Sequence, residues 1–312
     1  MTDDVMISRK KFLQGAGAAA LLLSGGLSGT AFAKSVTRMG TRAIPSSGER
    51  LPMVGIGTAR VFNASLNQET RARLTEVLQI MLSAGGRILD TSPMYGSAEP
   101  VSGKLINEMG ARNRMFLATK VWTRGREDGI AQMRQSLARF NTKKIELMQV
   151  HNLVDWRTQL KTCREWKEKG VFKYIGVTHY TPSAFDELAA IIRSEPIDFL
   201  QIPYSIVNRQ AERVLFPLVR ERKVALITHR NFEVGGLFRR VRGTKLPGWA
   251  ADFDCTSWGQ FFLKFVLGHP ASTCVIPGTS KAKHMRDNVQ AGMGRLPNAN
   301  QRERMARFIA DL

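Results

Sequence analysis

The sequence predicts an α/β protein: a single (β/α)8 barrel of the TIM type, carried behind an N-terminal signal peptide. Three observations lead there. Eight short runs rich in apolar or β-branched residues recur along the chain, and segments of helical period separate them. The third is length, because the residues left after an export signal suit one barrel of about 250 residues rather than two domains. A Rossmann-type dinucleotide fold is disfavoured, since no GxGxxG follows an early strand.

Taken in order, the first 33 residues read as an address. The basic patch Ser8-Arg9-Lys10-Lys11-Phe12-Leu13 precedes a weakly apolar stretch over 15–29, and Ala31-Phe32-Ala33 forms a small-x-small cleavage signature before Lys34. That stretch is too short and too rich in glycine for a stable spanning helix. The patch resembles a twin-arginine signal, Ser-Arg-Arg-x-Phe-Leu, with Lys10 in place of the second arginine. Export in the folded state to a bacterial periplasm is expected, with the general secretory route as the alternative. Residues 34–50 are polar, contain proline and glycine, and form a lead-in segment; the barrel occupies 51–312.

Strands are expected at 53–58, 87–91, 115–121, 144–151, 174–178, 198–203, 223–228 and 273–277. Helical periodicity is clear over 67–84 and 128–140; in the latter Ile130, Met133, Leu137 and Phe140 share one core-facing stripe. Thr181-Pro182-Ser183 supplies a cap and a first-turn proline, with Glu187 placed to favour the dipole.

Composition narrows the class. Forty-three per cent hydrophobic residues exclude wholesale disorder, and no run of 18 apolar residues exists. Cys163, Cys255 and Cys274 are too few and too far apart for a disulfide framework or a CxxC zinc site, although Cys255 and Cys274 remain candidates for pairing after export. Nearly all of the formal charge of +20 belongs to the mature chain, because the signal removes only Arg9, Lys10 and Lys11 against Asp3 and Asp4. Nucleic acid is not expected, as no aromatic platform or known module accompanies the charge. An anionic cofactor or an anionic envelope surface is the better match. The cluster Arg239, Arg240, Arg242 and Lys245 is either a basic lip steering that cofactor or a solvated loop.

In such a barrel the C-terminal strand ends form the active face. Asp90, Lys120 and His151 lie at the ends of the second, third and fourth strands, and Tyr95 lies in the loop after Asp90. Singly, each has a structural explanation: a cap, a solvated strand end, a buried histidine, a packed loop tyrosine. Together they suit carbonyl reduction. An ammonium beside a phenol favours the phenolate, a carboxylate holds the ammonium, and a histidine orients the carbonyl. Trp122 is a candidate for the substrate pocket. A barrel hydrolase is disfavoured, because no metal-ligand cluster or second carboxylate stands at the matching strand ends.

These residues carry a resemblance. Asp90-Thr91-Ser92-Pro93-Met94-Tyr95-Gly96, Ala118-Thr119-Lys120-Val121 and Met148-Gln149-Val150-His151 resemble the aldo-keto reductase family in order and spacing. Ile175-Gly176-Val177-Thr178-His179, Gln201-Ile202-Pro203-Tyr204-Ser205 and Val275-Ile276-Pro277-Gly278-Thr279-Ser280 with Asn288 extend it over nearly all of 51–312. The resemblance implies an NAD(P)H-dependent oxidoreductase reducing an aldehyde or ketone, with Tyr95 as general acid, Lys120 tuning it, Asp90 supporting the lysine and His151 orienting the carbonyl. It implies a dinucleotide laid across the barrel mouth. Thr178, His179 and Gln201 would face the nicotinamide amide, and His229 would stack on the ring. Gly235, Gly236 and Leu237 would lie under the pyrophosphate, and Thr279, Ser280, Lys281, His284 and Asn288 would meet the adenosine end. Gly278 and His284 stand where some relatives carry a lysine and an arginine; Lys281 and Lys283 offer replacement charges, so NADPH is favoured over NADH. The alternative function is a catalytically slow dinucleotide-binding regulatory or sensory module at the cell envelope.

Overall fold

The chain first closes the bottom of a barrel and then builds its wall. The computed structural model describes residues 38–312, so the signal peptide and its cleavage site lie outside the described residues. The lead-in, expected as a plain strap, forms an antiparallel hairpin of β1 (Thr41–Ala43) and β2 (Arg50–Pro52). Eight parallel strands follow in chain order: β3 (Ile56–Gly57), β4 (Ile88–Asp90), β5 (Phe116–Val121), β6 (Ile145–His151), β7 (Phe172–Thr178), β8 (Phe199–Pro203), β9 (Ala225–His229) and β10 (Cys274–Val275). A parallel bridge from Val54 to Val275 joins the first strand region to the last and closes the ring. All eight expected strands are present. The first and last are shorter than their apolar runs, because the chain bends at Met53 and Pro277 has no N–H to donate. A Cβ on Gly57 would lie 2.9 Å from the carbonyl oxygen of Ile276, so closure needs glycine there.

The helix α1 (Gln68–Ser83) matches its predicted span, with the Asn67 side chain accepting from the Thr70 N–H at 2.8 Å. Between β4 and β5 runs α2 (Ala98–Glu108). Next, α3 (Arg126–Arg139) starts two residues before the expected point, because the Gly125 N–H is held by Asp155. Ile130, Met133 and Phe140 are buried as the stripe requires, and Leu137 packs at its margin. Further helices are α4 (Trp156–Glu168), α5 (Phe185–Ser194), α6 (Ala211–Glu221), α7 (Gly236–Arg240), α8 (Trp258–Leu267), α9 (Ala282–Gln290) and α10 (Ala299–Ala310). A 3-10 turn, Pro182–Ala184, precedes α5; the Thr181 hydroxyl turns to His179 and Ser183 instead of capping the backbone.

Strand alternation places the site. On β5, Phe116, Ala118 and Lys120 face inward, and on β6 so do Leu147, Gln149 and His151. The lower layers are apolar: Phe116, Tyr174 and Phe199 meet at ring separations of 5.5–6.1 Å, with Ile44 and Leu51 from the hairpin region below. The top layer is polar, holding Asp90, Lys120, Gln149 and Gln201. A second apolar core lies between strands and helices. All three cysteines are free; Cys274 belongs to the inner core and Cys255 to the outer one, so the barrel wall separates the pair considered for a disulfide.

Candidate active site

The top layer puts an ion pair at the centre of the barrel. Lys120 Nζ donates to both oxygens of Asp90 at 2.8 Å and to the Thr91 carbonyl at 2.7 Å, and both side chains are almost fully enclosed. Burial lifts the Asp90 carboxyl above its ordinary range, and the Lys120 charge opposes that lift. For Lys120 burial works against the charge, but Asp90 and Tyr95 outweigh it and hold the ammonium protonated. Two glutamines support the carboxylate. Gln201 donates to Asp90 at 3.3 Å, and Gln149 donates to Gln201 at 2.8 Å.

Tyr95 reaches this pair from the β4–α2 loop, where its own N–H is tied to the Ser92 carbonyl. The next residue, Gly96, has φ 59°, and a Cβ there would strike the Asn63 amide, which receives the Ser97 N–H. Only glycine fits that corner, and the corner aims the tyrosine. Lys120 Nζ lies 5.1 Å from the centre of the Tyr95 ring. The ammonium pulls the phenol pKa down, as the sequence implies, yet burial pushes harder and the net direction is upward. The phenol is therefore a protonated donor in this state.

His151 meets Tyr95 edge-on, with ring centres 5.6 Å apart. Its Nδ1 lies 3.0 Å from the Ser92 hydroxyl, which already accepts from the Met94 N–H at 3.3 Å. With Ser92 as the donor to Nδ1, the imidazole keeps its proton on Nε2. Burial, reinforced by Lys120, pushes the His151 pKa down to about 2, so the ring is neutral at any working pH.

These groups line one side of a cavity of about 1010 Å3 that opens at the C-terminal strand ends. Asp90, Tyr95, Trp122, His151, Thr178, Gln201, His229, Gly235, Gly278, Thr279, His284 and Asn288 all contribute to its wall. Lys120 lies just beneath, behind Asp90. Five other expected residues fall outside the lining. His179 is turned away, with Nδ1 accepting from the Thr181 N–H and its ring lying flat on Tyr180, which lines the cavity in its place. Leu237 packs into the core, Gly236 begins α7, Ser280 gives its carbonyl to Arg73, and Lys281 stands at the head of α9. Arg239 and Arg240 end α7 and, like Arg242 and Lys245, are exposed and outside the lining; the Arg239 guanidinium lies beside Gly235 and Gly236, and Arg240 donates to the Ala310 carbonyl at 3.5 Å. Neither a cluster of metal-ligating side chains nor a membrane-length apolar helix occurs among the described residues.

Comparison with known proteins agrees with this geometry. The model described as the Aldo/keto reductase family matches residues 53–303. The chain belongs to the aldo/keto reductase family. One curated relative, aldo-keto reductase YhdN of Bacillus subtilis, is 26% identical over 202 residues, which is 60% of this chain and 60% of that protein. The aligned part therefore spans less than two thirds of that relative's length. An aldo-keto reductase from Bacillus halodurans in its holo form superposes with a TM-score of 0.71 at 22% identity, covering 87% of this chain and 96% of its own. A Klebsiella pneumoniae aldo/keto reductase, solved with NADP and acetate, gives 0.73 at 19% identity over 86% of this chain and 95% of that one. At those identities the likeness speaks for the barrel.

Several residues of the site escape the sequence reading. Ser92 and Gln149 sit inside quoted motifs but attract notice only through strand register, which turns Gln149 inward with Lys120 and His151. Arg60, Asn152, Tyr180 and Arg230 follow strand ends by one to three residues, the one positional signal that marks them. Asn231 carries a buried, unpartnered amide oxygen at the same wall.

Proposed function

We propose that this protein is an NADPH-dependent oxidoreductase that reduces an aldehyde or ketone to an alcohol, with Tyr95 as the proton donor. The observation that carries the reading is the convergence of a protonated phenol and a neutral imidazole on one cavity wall, with a paired ammonium just beneath them.

The wall fits a dinucleotide. Its volume lies at the upper end of ligand sites, about 300–1,000 Å3. Gly235 lines it at φ 86°, and a Cβ on Gly278 would press on the Gly57 carbonyl at 3.0 Å, so backbone is presented at both places. Thr178, Gln201 and His229 would hold the nicotinamide end, and Thr279, His284 and Asn288 the adenosine end. The exposed Lys281 and Lys283 would face a 2′-phosphate, which favours NADPH over NADH. When bound, NADPH supplies the hydride that the carbonyl carbon accepts.

The chain's own part is acid catalysis. His151 donates from Nε2 to the carbonyl oxygen and fixes its direction. Tyr95 gives that oxygen its proton, and the nearby Lys120 charge stabilises the phenolate left behind. Asp90 keeps the ammonium in place, and solvent restores the phenol proton once the alcohol leaves. Replacing Tyr95 by Phe should lower NADPH oxidation with a carbonyl substrate by about 10²–10⁴-fold at unchanged fold. Full turnover by Tyr95→Phe would overturn the assignment. NADPH binding without oxidation across a carbonyl panel would point instead to a regulatory module.

Location belongs to the same reading. The patch from Ser8 to Leu13 and the Ala31-Phe32-Ala33 signature support cleavage near Lys34 and a periplasmic mature protein. Export in the folded state lets NADPH load before translocation. A mature N-terminus near Lys34 that appears only when the folded-export machinery is present is the expected result; export in its absence would refute the route.

A further inference from the structure

The cavity carries a positive charge that the reduction step does not use. Both carboxylates on its wall are already engaged: Asp90 by Lys120, and Asp287 by the Ser257 hydroxyl at 2.8 Å and the Gln260 amide at 2.7 Å. Its buried histidines add no charge, since burial and the neighbouring cations hold His151 near 2 and His229 near 3. Two arginines on the wall, Arg60 and Arg230, are without an ion pair or side-chain hydrogen bond among the described residues, and of the two Arg230 is the one stacked on a ring of the same cavity. It lines the cavity one residue beyond the end of β9.

Its placement is specific. Arg230 has φ 55°, a left-handed conformation that is strained for a non-glycine residue and persists where surrounding structure enforces it. The guanidinium carbon sits 5.2 Å from the centre of the Tyr180 ring, and Tyr180 in turn lies on His179 at 5.3 Å and 10°. A stacked guanidinium keeps its N–H edge free, which is the fork that matches a carboxylate. Around it the mouth is apolar, with Met94, Trp122, Val234 and Phe238 exposed on the same cavity.

We propose that Arg230 is the substrate-anion clamp of this cavity, selecting carbonyl compounds that carry a carboxylate on an apolar body. The carboxylate pairs with the Arg230 fork while the carbonyl oxygen lies between Tyr95 and His151. The inference rests on the reductase reading above, and it adds a substrate class to it. Tyr180 acts through Arg230, as a positioning residue that holds the guanidinium plane.

The test compares each carboxylate with its own neutral ester: phenylglyoxylate and 4-formylbenzoate against their methyl esters, with NADPH, in wild type and Arg230→Gln. Wild type should favour at least one carboxylate by about tenfold or more in kcat/KM, as one charge-assisted bidentate pair allows. Arg230→Gln should bring that ratio close to unity, mainly through KM, and Arg230→Lys should restore part of it. A ratio near unity in wild type, with esters turned over, would overturn the clamp and leave the reductase reading intact. A ratio that survives Arg230→Gln would also overturn it. NADPH affinity, followed by fluorescence titration, forms the separate arm: if Arg230→Gln weakens NADPH as much as it weakens carboxylate turnover, the cation serves the cofactor and the clamp is wrong. Should no carbonyl be reduced, calorimetric titration of the NADPH-loaded protein with benzoate decides. Binding lost in Arg230→Gln supports an anion site, and no binding refutes it.

Discussion

The two ends of the barrel are built on opposite principles. The lower end is filled by Phe116, Tyr174 and Phe199, sealed by Ile44 and Leu51, and pinned by Arg42 donating to the carbonyls of Leu267, His269 and Ser272. The upper end buries an ion pair, two neutral histidines and an amide oxygen on Asn231 with no partner among the described residues. Its loops also hold Asn152, Leu153, Asp155, Arg230, Glu233 and Val234 at positive φ. One end is filled by packing; the other keeps charge, strain and open space. The same sheet supports both, because alternating residues of each strand face inward at every level and only their chemistry changes with height. Stability and chemistry are thus separable by position along a strand.

That separation can be broken first at Lys120. Changing Lys120 to Met strands the buried Asp90 carboxylate, and should cost about 3–5 kcal/mol of stability together with turnover. Denaturant unfolding checks it, and Asp90→Asn in the same chain should recover much of the stability but none of the rate. At the lower end, Phe199→Ala should cost a comparable 3–5 kcal/mol by leaving a cavity, yet leave NADPH oxidation per folded molecule close to wild type. A large kcat loss in Phe199→Ala would show that the two ends are coupled after all.

Acid should expose the upper end next. His151 and His229 have folded pKa values near 2 and 3, below the ordinary 6.5, so the unfolded chain takes up protons that the folded chain refuses. Their contribution is therefore complete above pH 6.5 and is lost progressively as pH falls towards those low values. Thermal midpoints should drop across that window, and His151→Gln should flatten the drop. The smallest effect belongs to neither end. Asn67→Ala removes the cap of α1 and should cost about 1 kcal/mol in chemical denaturation, with no change in activity.

Much of this molecule is legible before folding. The apolar runs mark all eight barrel strands, Asn67 and the period of 67–84 mark α1, and the strand-end positions of Asp90, Lys120 and His151 mark the active face. Lys34 to Arg50 was harder, because a polar, proline-containing stretch reads as a strap, while the hairpin forms only once the barrel bottom offers an apolar floor for Ile44 and Leu51. His179 shows the same limit at the site. Its position in the chain points to the cavity, but ring stacking on Tyr180 and a bond from the Thr181 N–H turn it aside.

What the sequence by itself determined is the barrel, its order and the residue types at its upper rim, because period-2 alternation and strand ends are local properties. The tertiary structure alone decided the balance of forces among those residues. Whether Lys120 or burial governs the Tyr95 phenol, whether His151 Nδ1 meets the Ser92 hydroxyl, and which arginine stacks on Tyr180 all depend on distance and enclosure. Those quantities arise between segments far apart in the chain, so no local pattern records them.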